Sequence, residues 1–410
     1  MKKRLTAAVM CSVLMLTLFS ACGTKAENLT SDITPAADLP GAETASLNAA
    51  NDFAVSVLTK CAAEGGNVLV SPLSIVSALA MTANGAKGNT LSRMEKVMGM
   101  SRDDLNRCIK KYTAALPHEE NCAVSLANSV WFNNAQRFTV NQDFLQAAAD
   151  WYGADAFSAP FDNSTVRDIN RWCSDSTDGM IDELLKEIPV SAVMYLINAL
   201  AFDAKWSVPY EPQSVTEGKF TNLDGSRSDA EYMHSEEYTY LSDGSTVGFM
   251  KSYCGGSYAF AALLPKEGMS PADYAATLRG DKLRSILENA DSCAVSAVLP
   301  KFEFDYGTDL KDALCALGMG TAFDPYKADL SGLGSSEAGN LFISAVIHKT
   351  FISVDTEGTK AAAVTSVEVR DCAAFMPDEL KYVTLDRPFV FMIVDTENQV
   401  PIFMGIVNEL

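Results

Sequence analysis

From Leu47 to Leu410 the chain offers no place to divide. No linker, repeat or low-complexity tract interrupts it, so about 360 residues must share one large domain, although single cores commonly stop growing near ~250–300 residues. What precedes it is of a different kind. Lys2, Lys3 and Arg4 open the chain, and Leu5 to Phe19 is almost wholly apolar. That run is short of the ~20 residues a membrane span needs and suits a secretory signal. It ends in Leu18-Phe19-Ser20-Ala21-Cys22, small residues followed at once by cysteine. This looks like a bacterial lipobox, with residues 1–21 as a lipoprotein signal peptide and Cys22 as the lipid-bearing first residue. The alternative is ordinary cleavage after Ala21, leaving Cys22 free. Residues 22–48 are rich in Ala, Thr, Ser, Pro, Asp and Glu. Such a segment buries too little to offset chain entropy and reads as a flexible tether. The expected location is the extracellular face of the cell membrane, lipid-anchored, or secreted.

Charge excludes one class of partner. The formal charge is −20, and removing residues 1–21 with their three cations takes it to −23. A chain this acidic repels nucleic acid and other polyanions. Contact with membrane is expected only through the lipid anchor. Eight of the ten cysteines lie beyond Cys22, scattered singly through apolar patterns. No CxxC or CxxH spacing supports a metal, and buried free thiols are the favoured reading.

Catalytic motifs are equally missing. The three histidines, His118, His234 and His348, stand in no HExxH. There is no GxSxG elbow and no phosphate loop. We expect no enzyme, no catalytic residues and no cofactor.

Residues 67–81, NVLVSPLSIVSALAM, read as a short apolar strand, then a helix begun at Ser71-Pro72 and apolar on nearly all sides. Continuing as TANGAKGNTLSRMEKVM, this string resembles the second helix and its surroundings in serpins. The resemblance continues in order through Ile169-Asn170-Arg171-Trp172, Thr177-Asp178-Gly179, the buried run YLINALAFDAKW ending at Trp206, and Leu299-Pro300-Lys301-Phe302. Leu317-Gly318-Met319, Ala328-Asp329-Leu330-Ser331-Gly332, Arg387-Pro388-Phe389 and Ile402-Phe403-Met404-Gly405 complete it. It covers residues 49–410 and implies an α+β fold: a large central mixed β-sheet with further β-sheets, about eight to nine helices and an exposed reactive loop.

By that resemblance Ser71, Ser74, Asn198 and His348 form a polar cluster where the central strands part, and Trp206 and Lys301 mark the breach above it. The segment TEGTKAAAVTSVEVRDCAAFMPDELKYVTL resembles the hinge and reactive loop, with Glu357, Gly358, Thr359, Lys360, Ala361, Ala362 and Ala363 as the hinge. Members of the family are suicide inhibitors: a protease cleaves the loop, forms an acyl-enzyme, and is trapped as the loop inserts into the central sheet. Counting fifteen residues from Gly358 places the reactive bond at Cys372-Ala373, which suits an elastase-like protease. The implied partner is a serine or cysteine protease in a covalent acyl complex with a monomeric inhibitor. The alternative is a non-inhibitory relative serving as a surface binding or carrier module. Two residues before Gly358 the family commonly has a glutamate that pairs with the lysine here numbered 301. Thr356 stands there instead, with Glu357 beside it, so the ion pair is either missing or supplied by Glu357.

The residues themselves bear on insertion. A strand alternates its side chains between faces. Thr359, Ala361, Ala363, Thr365, Val367 and Val369 are all uncharged, whereas Lys360, Glu368 and Arg370 fall on the other parity. That is the pattern of a half-buried strand, and a permanently exposed loop has no need of it.

Overall fold

The computed structural model describes residues 26–36, 47–119, 121–134, 138–189, 192–337, 339–359 and 380–410. Cys22, Lys360, Ala361, Ala362, Ala363, Cys372 and Ala373 lie outside them.

Along the chain, β1 (Glu27–Asn28) precedes α1 (Leu47–Cys61), β2 (Val68–Val70), α2 (Pro72–Ala83), α3 (Gly88–Met98) and α4 (Arg102–Ala114). The start of α2 is written in its residues. Ser71 is its N-cap, the hydroxyl accepting from the Ser74 amide, and Pro72 occupies the first turn. Then follow β3 (His118–Glu119), β4 (Cys122–Asn133), β5 (Phe138–Val140), α5 (Gln142–Tyr152), β6 (Asp155–Ala159), α6 (Asn163–Ser176) and β7 (Met194–Lys205). Asp162 caps α6 through the Ser164 amide. Next come β8 (Val215–Thr221), β9 (Arg227–Ser242), β10 (Thr246–Ser252), β11 (Tyr258–Pro265), α7 (Pro271–Thr277), α8 (Gly280–Glu288), β12 (Asp291–Pro300) and β13 (Phe302–Asp309). The chain closes with α9 (Lys311–Leu314), β14 (Gly334–Ser336), β15 (Ala345–Val354), β16 (Gly358–Thr359), β17 (Leu380–Thr384), β18 (Phe389–Asp395) and β19 (Val400–Val407).

The described strands form two large mixed sheets and one short pair. The first sheet runs β1-β6-β4-β7-β16-β15-β13, with β3 against β4. The second runs β17-β12-β9-β10-β11-β18-β19-β2, with β8 against β9. In β7 the even-numbered residues Leu200, Phe202 and Ala204 join Phe260, Phe391 and Leu299 of the second sheet in one core. The odd-numbered Tyr195 and Ile197 face the other way and pack with Val166 and Ile169 of α6. A strand buried on both faces reads as a continuous apolar run, which is why YLINALAF lacks polar alternation. Each large apolar side chain so buried stabilises the fold by ~1.5–3 kcal/mol. Helix α6 thus lies across the first sheet, where the resemblance places it.

One expectation is corrected. The stretch 22–48 reads as a tether, but residues 26–36 are docked. Strand β1 pairs antiparallel with β6, Glu27 opposite Ser158 and Asn28 opposite Phe157. The Asn28 side-chain amide donates to Asp155 Oδ1 at 3.0 Å, and the Ala36 amide to Asp150 Oδ1 at 2.7 Å. Leu29 and Ile33 pack against the core. Composition missed this because an edge strand of a sheet needs backbone partners rather than apolar length, and two apolar anchors four residues apart are enough to fix it. No disulfide joins the seven described cysteines beyond Cys22, of which Cys61, Cys122 and Cys173 are buried.

Candidate functional site: the seam between β7 and β15

Strand β7 is paired with β4 from Met194–Phe132 to Ala204–Cys122. Strand β15 is paired with β13 from Ile347–Asp309 to Val354–Phe302. Between themselves β7 and β15 run parallel, but their ladder covers only residues 195–198 against 345–348. Beyond His348 and Asn198 it stops. A void of about 10 Å³ opens there, lined by Phe202 of β7, Phe351 and Ile352 of β15, and Thr359. At the far end β16 is wedged between the two, Gly358 opposite Lys205, and Thr359 opposite both Ala204 and Val354.

The hinge is held tightly. Asp355 Oδ1 accepts the amides of Glu357 at 2.8 Å and Gly358 at 3.1 Å, closing a turn. The Trp206 indole N–H donates to the Asp355 carbonyl at 2.8 Å, and the Trp206 amide to the Glu357 carbonyl at 2.8 Å. The Tyr210 amide reaches the Thr356 carbonyl at 2.9 Å. Position 358 admits no side chain: a Cβ would lie 2.1 Å from the Ala204 carbonyl oxygen, so only glycine lets β16 approach β7 this closely. Thr359 is 2% exposed, and its hydroxyl is bonded to that of Tyr253. The first residue of the uncharged parity is therefore on a buried face.

Of the two residues expected at the breach, Trp206 is bonded to this hinge and Lys301 is not. Its ammonium sits 3.3 Å from Glu231 on β9, and Glu357 is exposed. Glu357 therefore does not restore the family's ion pair. The residues that replace it as hinge contacts, Tyr210 and Tyr253, were not singled out from sequence. Tyr210 lies four residues past Trp206, which is a signal only once the strand's end is known.

At the closed end of the seam the four predicted polar residues meet. The Ser71 amide donates to His348 Nε2 at 3.1 Å, and the Ser74 hydroxyl is bonded to Asn198 Oδ1. Sequence reading missed a fifth, Asn128 of β4, whose Oδ1 accepts from the Asn198 side chain. An asparagine in the middle of β4, among apolar residues, was the available clue, because buried amides need partners. His348 is 2% exposed, and burial lowers its pKa to about 4, so the ring is neutral and Nε2 is free to accept. The unfolded chain takes up this proton near pH 6.5, whereas the folded state resists until about 4. Native stability is thus complete above pH 6.5 and falls as pH drops through that window, by up to about 3 kcal/mol. In His348→Gln, which keeps an acceptor for Ser71, this part of the loss should vanish. The check is the urea midpoint of both proteins between pH 7 and 4; parallel curves would refute it.

Comparison with known proteins agrees with this geometry. Residues 48–410 match the family model described as serpin (serine protease inhibitor). The human leukocyte elastase inhibitor is 30% identical over 362 residues, spanning 83% of this chain and 92% of its own. The thermophilic serpin tengpin, solved in its native state, shares 45% identity and overlays with a TM-score of 0.89, covering 94% of this chain and 100% of that one. Its latent-state structure, also at 45% identity, overlays less closely, at 0.80 over 90% and 100%. With the family model spanning the domain and the parted sheet, hinge and polar cluster all in place, the chain belongs to the serpin family.

Proposed function

We propose that this chain is an inhibitory serpin that traps a serine or cysteine protease of elastase-like specificity at Cys372-Ala373. The observation that carries this is the seating of β16. Gly358 and Thr359 are already the first rungs of a strand between β7 and β15. Residues that continue this strand need only follow the same alternation, and 361, 363, 365, 367 and 369 are all uncharged.

The chemistry is an interrupted acyl transfer. The nucleophile of the protease attacks the Cys372 carbonyl carbon, and the Cys372–Ala373 peptide bond breaks with the amine of Ala373 leaving as a new N-terminus. The acyl-enzyme would ordinarily be released by water. Here the freed segment can add to the seam instead. If insertion makes ~10 backbone hydrogen bonds at ~0.5–1.5 kcal/mol each, it gains roughly 5–15 kcal/mol. That is enough to drive a large displacement of an attached protease. The cluster at Ser71, Ser74, Asn128, Asn198 and His348 stands where the ladder must open further.

Two experiments bear on this reading. Thr359→Arg forces a charge into a site 2% exposed, costing several kcal/mol unless the side chain escapes. Each ~1.4 kcal/mol added to the insertion barrier slows it about tenfold, so deacylation wins and the variant becomes a substrate cut at the same bond. Lys360→Glu, on the opposite parity, should leave trapping nearly unchanged. The number of inhibitor molecules consumed per protease trapped separates them, and equal behaviour would sink the mechanism.

The bond itself is located by sequencing the C-terminal fragment released from a complex. Ala373 is expected as its first residue; Asp371, Met376 or Pro377 would move the bond and change the specificity class.

For location we propose that Cys22 carries diacylglycerol and fixes the protein to the outer face of the membrane. Mass spectrometry of the mature N-terminus should show the lipid, and a free Cys22 in a soluble product would disprove the anchor.

A further inference from the structure

Three carbonyl oxygens in succession, those of Asp355, Thr356 and Glu357, are held by donors from two residues, Trp206 and Tyr210. Whatever fixes these two residues therefore fixes the hinge. The Trp206 ring stacks on Tyr253 with centroids 4.5 Å apart and meets Tyr210 edge-on at 6.3 Å. Phe260 meets Trp206 edge-on from another side at 6.0 Å, and a further neighbour of both rings is a charge. Lys251 of β10 places its ammonium 4.3 Å from the Tyr210 ring centre and 5.5 Å from that of Trp206. Its side chain is only 3% exposed, and its counter-charge is Glu237 of β9, 2.9 Å away and 13% exposed.

A lysine is rarely buried this deeply, and desolvating its charge is unfavourable. An apolar side chain would fill the same space without that cost. What the ammonium adds is attraction to the faces of two aromatic rings, strongest where water is excluded. Glu237 orients the ammonium toward them.

We propose that Lys251, oriented by Glu237, is a positioning residue for the hinge. It holds the Tyr210 and Trp206 rings in register with the turn at Asp355, and so keeps Gly358 and Thr359 seated at the mouth of the seam. In this chain it takes over the role that a glutamate at position 356 and Lys301 would have had. Its consequence for trapping rests on the inhibitory reading above; its effect on the hinge does not.

The test compares Lys251→Met, Lys251→Arg and the double variant Lys251→Met/Glu237→Leu by hydrogen exchange of the full chain. The reporting amides are those of Trp206, Tyr210, Glu357 and Gly358, all bonded within the hinge. Lys251→Met should speed exchange there roughly tenfold or more, with little change elsewhere in β9 and β10. Lys251→Arg keeps the cation and should retain protection. The double variant is the decisive arm. Removing both charges relieves the unpaired Glu237, so a purely structural pair would be rescued; a positioning pair would not, and the hinge amides should stay fast. Wild-type exchange at the hinge in the double variant overturns the proposal. If that variant does not fold, unchanged hinge exchange in Lys251→Met overturns it instead. Trapping is measured separately: Lys251→Met should consume several-fold more inhibitor per protease trapped than Lys251→Arg. If the unmodified protein traps no protease, the inhibitory reading falls, and the exchange comparison still decides the role of Lys251.

Discussion

Strands β7 and β15 lie side by side and parallel, yet the ladder between them ends after residues 198 and 348. Each is secured on its far side by a long antiparallel ladder, to β4 and to β13. The incompleteness is thereby confined to one line through the first sheet. An unfinished ladder inside a packed domain represents unused backbone hydrogen bonding. The rest of the molecule is arranged around that line: helix α6 covers it on one face, the second sheet supports it on the other, and the two ends are closed by different devices.

The closures differ in kind. At one end, side chains do the holding: a serine cap of α2, an imidazole kept neutral by burial, and two asparagines from adjacent strands. Such a cluster is satisfied in its present arrangement and resists opening because each separated group would be left unpaired. At the other end, backbone does the holding. The turn that starts the hinge is gripped through the carbonyls of Asp355, Thr356 and Glu357 by an indole and two amides, and enters the seam because glycine lets it come close. Opening from the hinge end only extends a strand already begun, whereas opening at the cluster breaks bonds first.

Much of this was legible in the residues. The Ser71-Pro72 start of α2 and the two-sided burial of β7 follow from local chemistry, and the structure places both as read; of the uncharged parity it describes the first residue, Thr359, which is buried. The four polar residues were named through family resemblance, which supplied the tertiary proximity that spacing cannot give. What escaped did so for physical reasons. Asn128, Tyr210 and Tyr253 act through contacts made across strands far apart in sequence. Lys251 and Glu237 look like ordinary surface charges until the fold buries them. Strand β1 escaped because its pairing is made by backbone atoms, which every sequence has.

The docking of β1 alters what an anchor at Cys22 would do to the domain. With residue 26 already at the sheet edge, only three residues, and so four Cα-to-Cα steps, separate it from Cys22. Fully extended, those four steps reach at most about 14 Å. A lipid on Cys22 would thus hold the domain against the bilayer, with little of the slack that a 27-residue leash would give. The space it could sweep would be a thin layer over the membrane, and a protease would have to come to that layer to be caught.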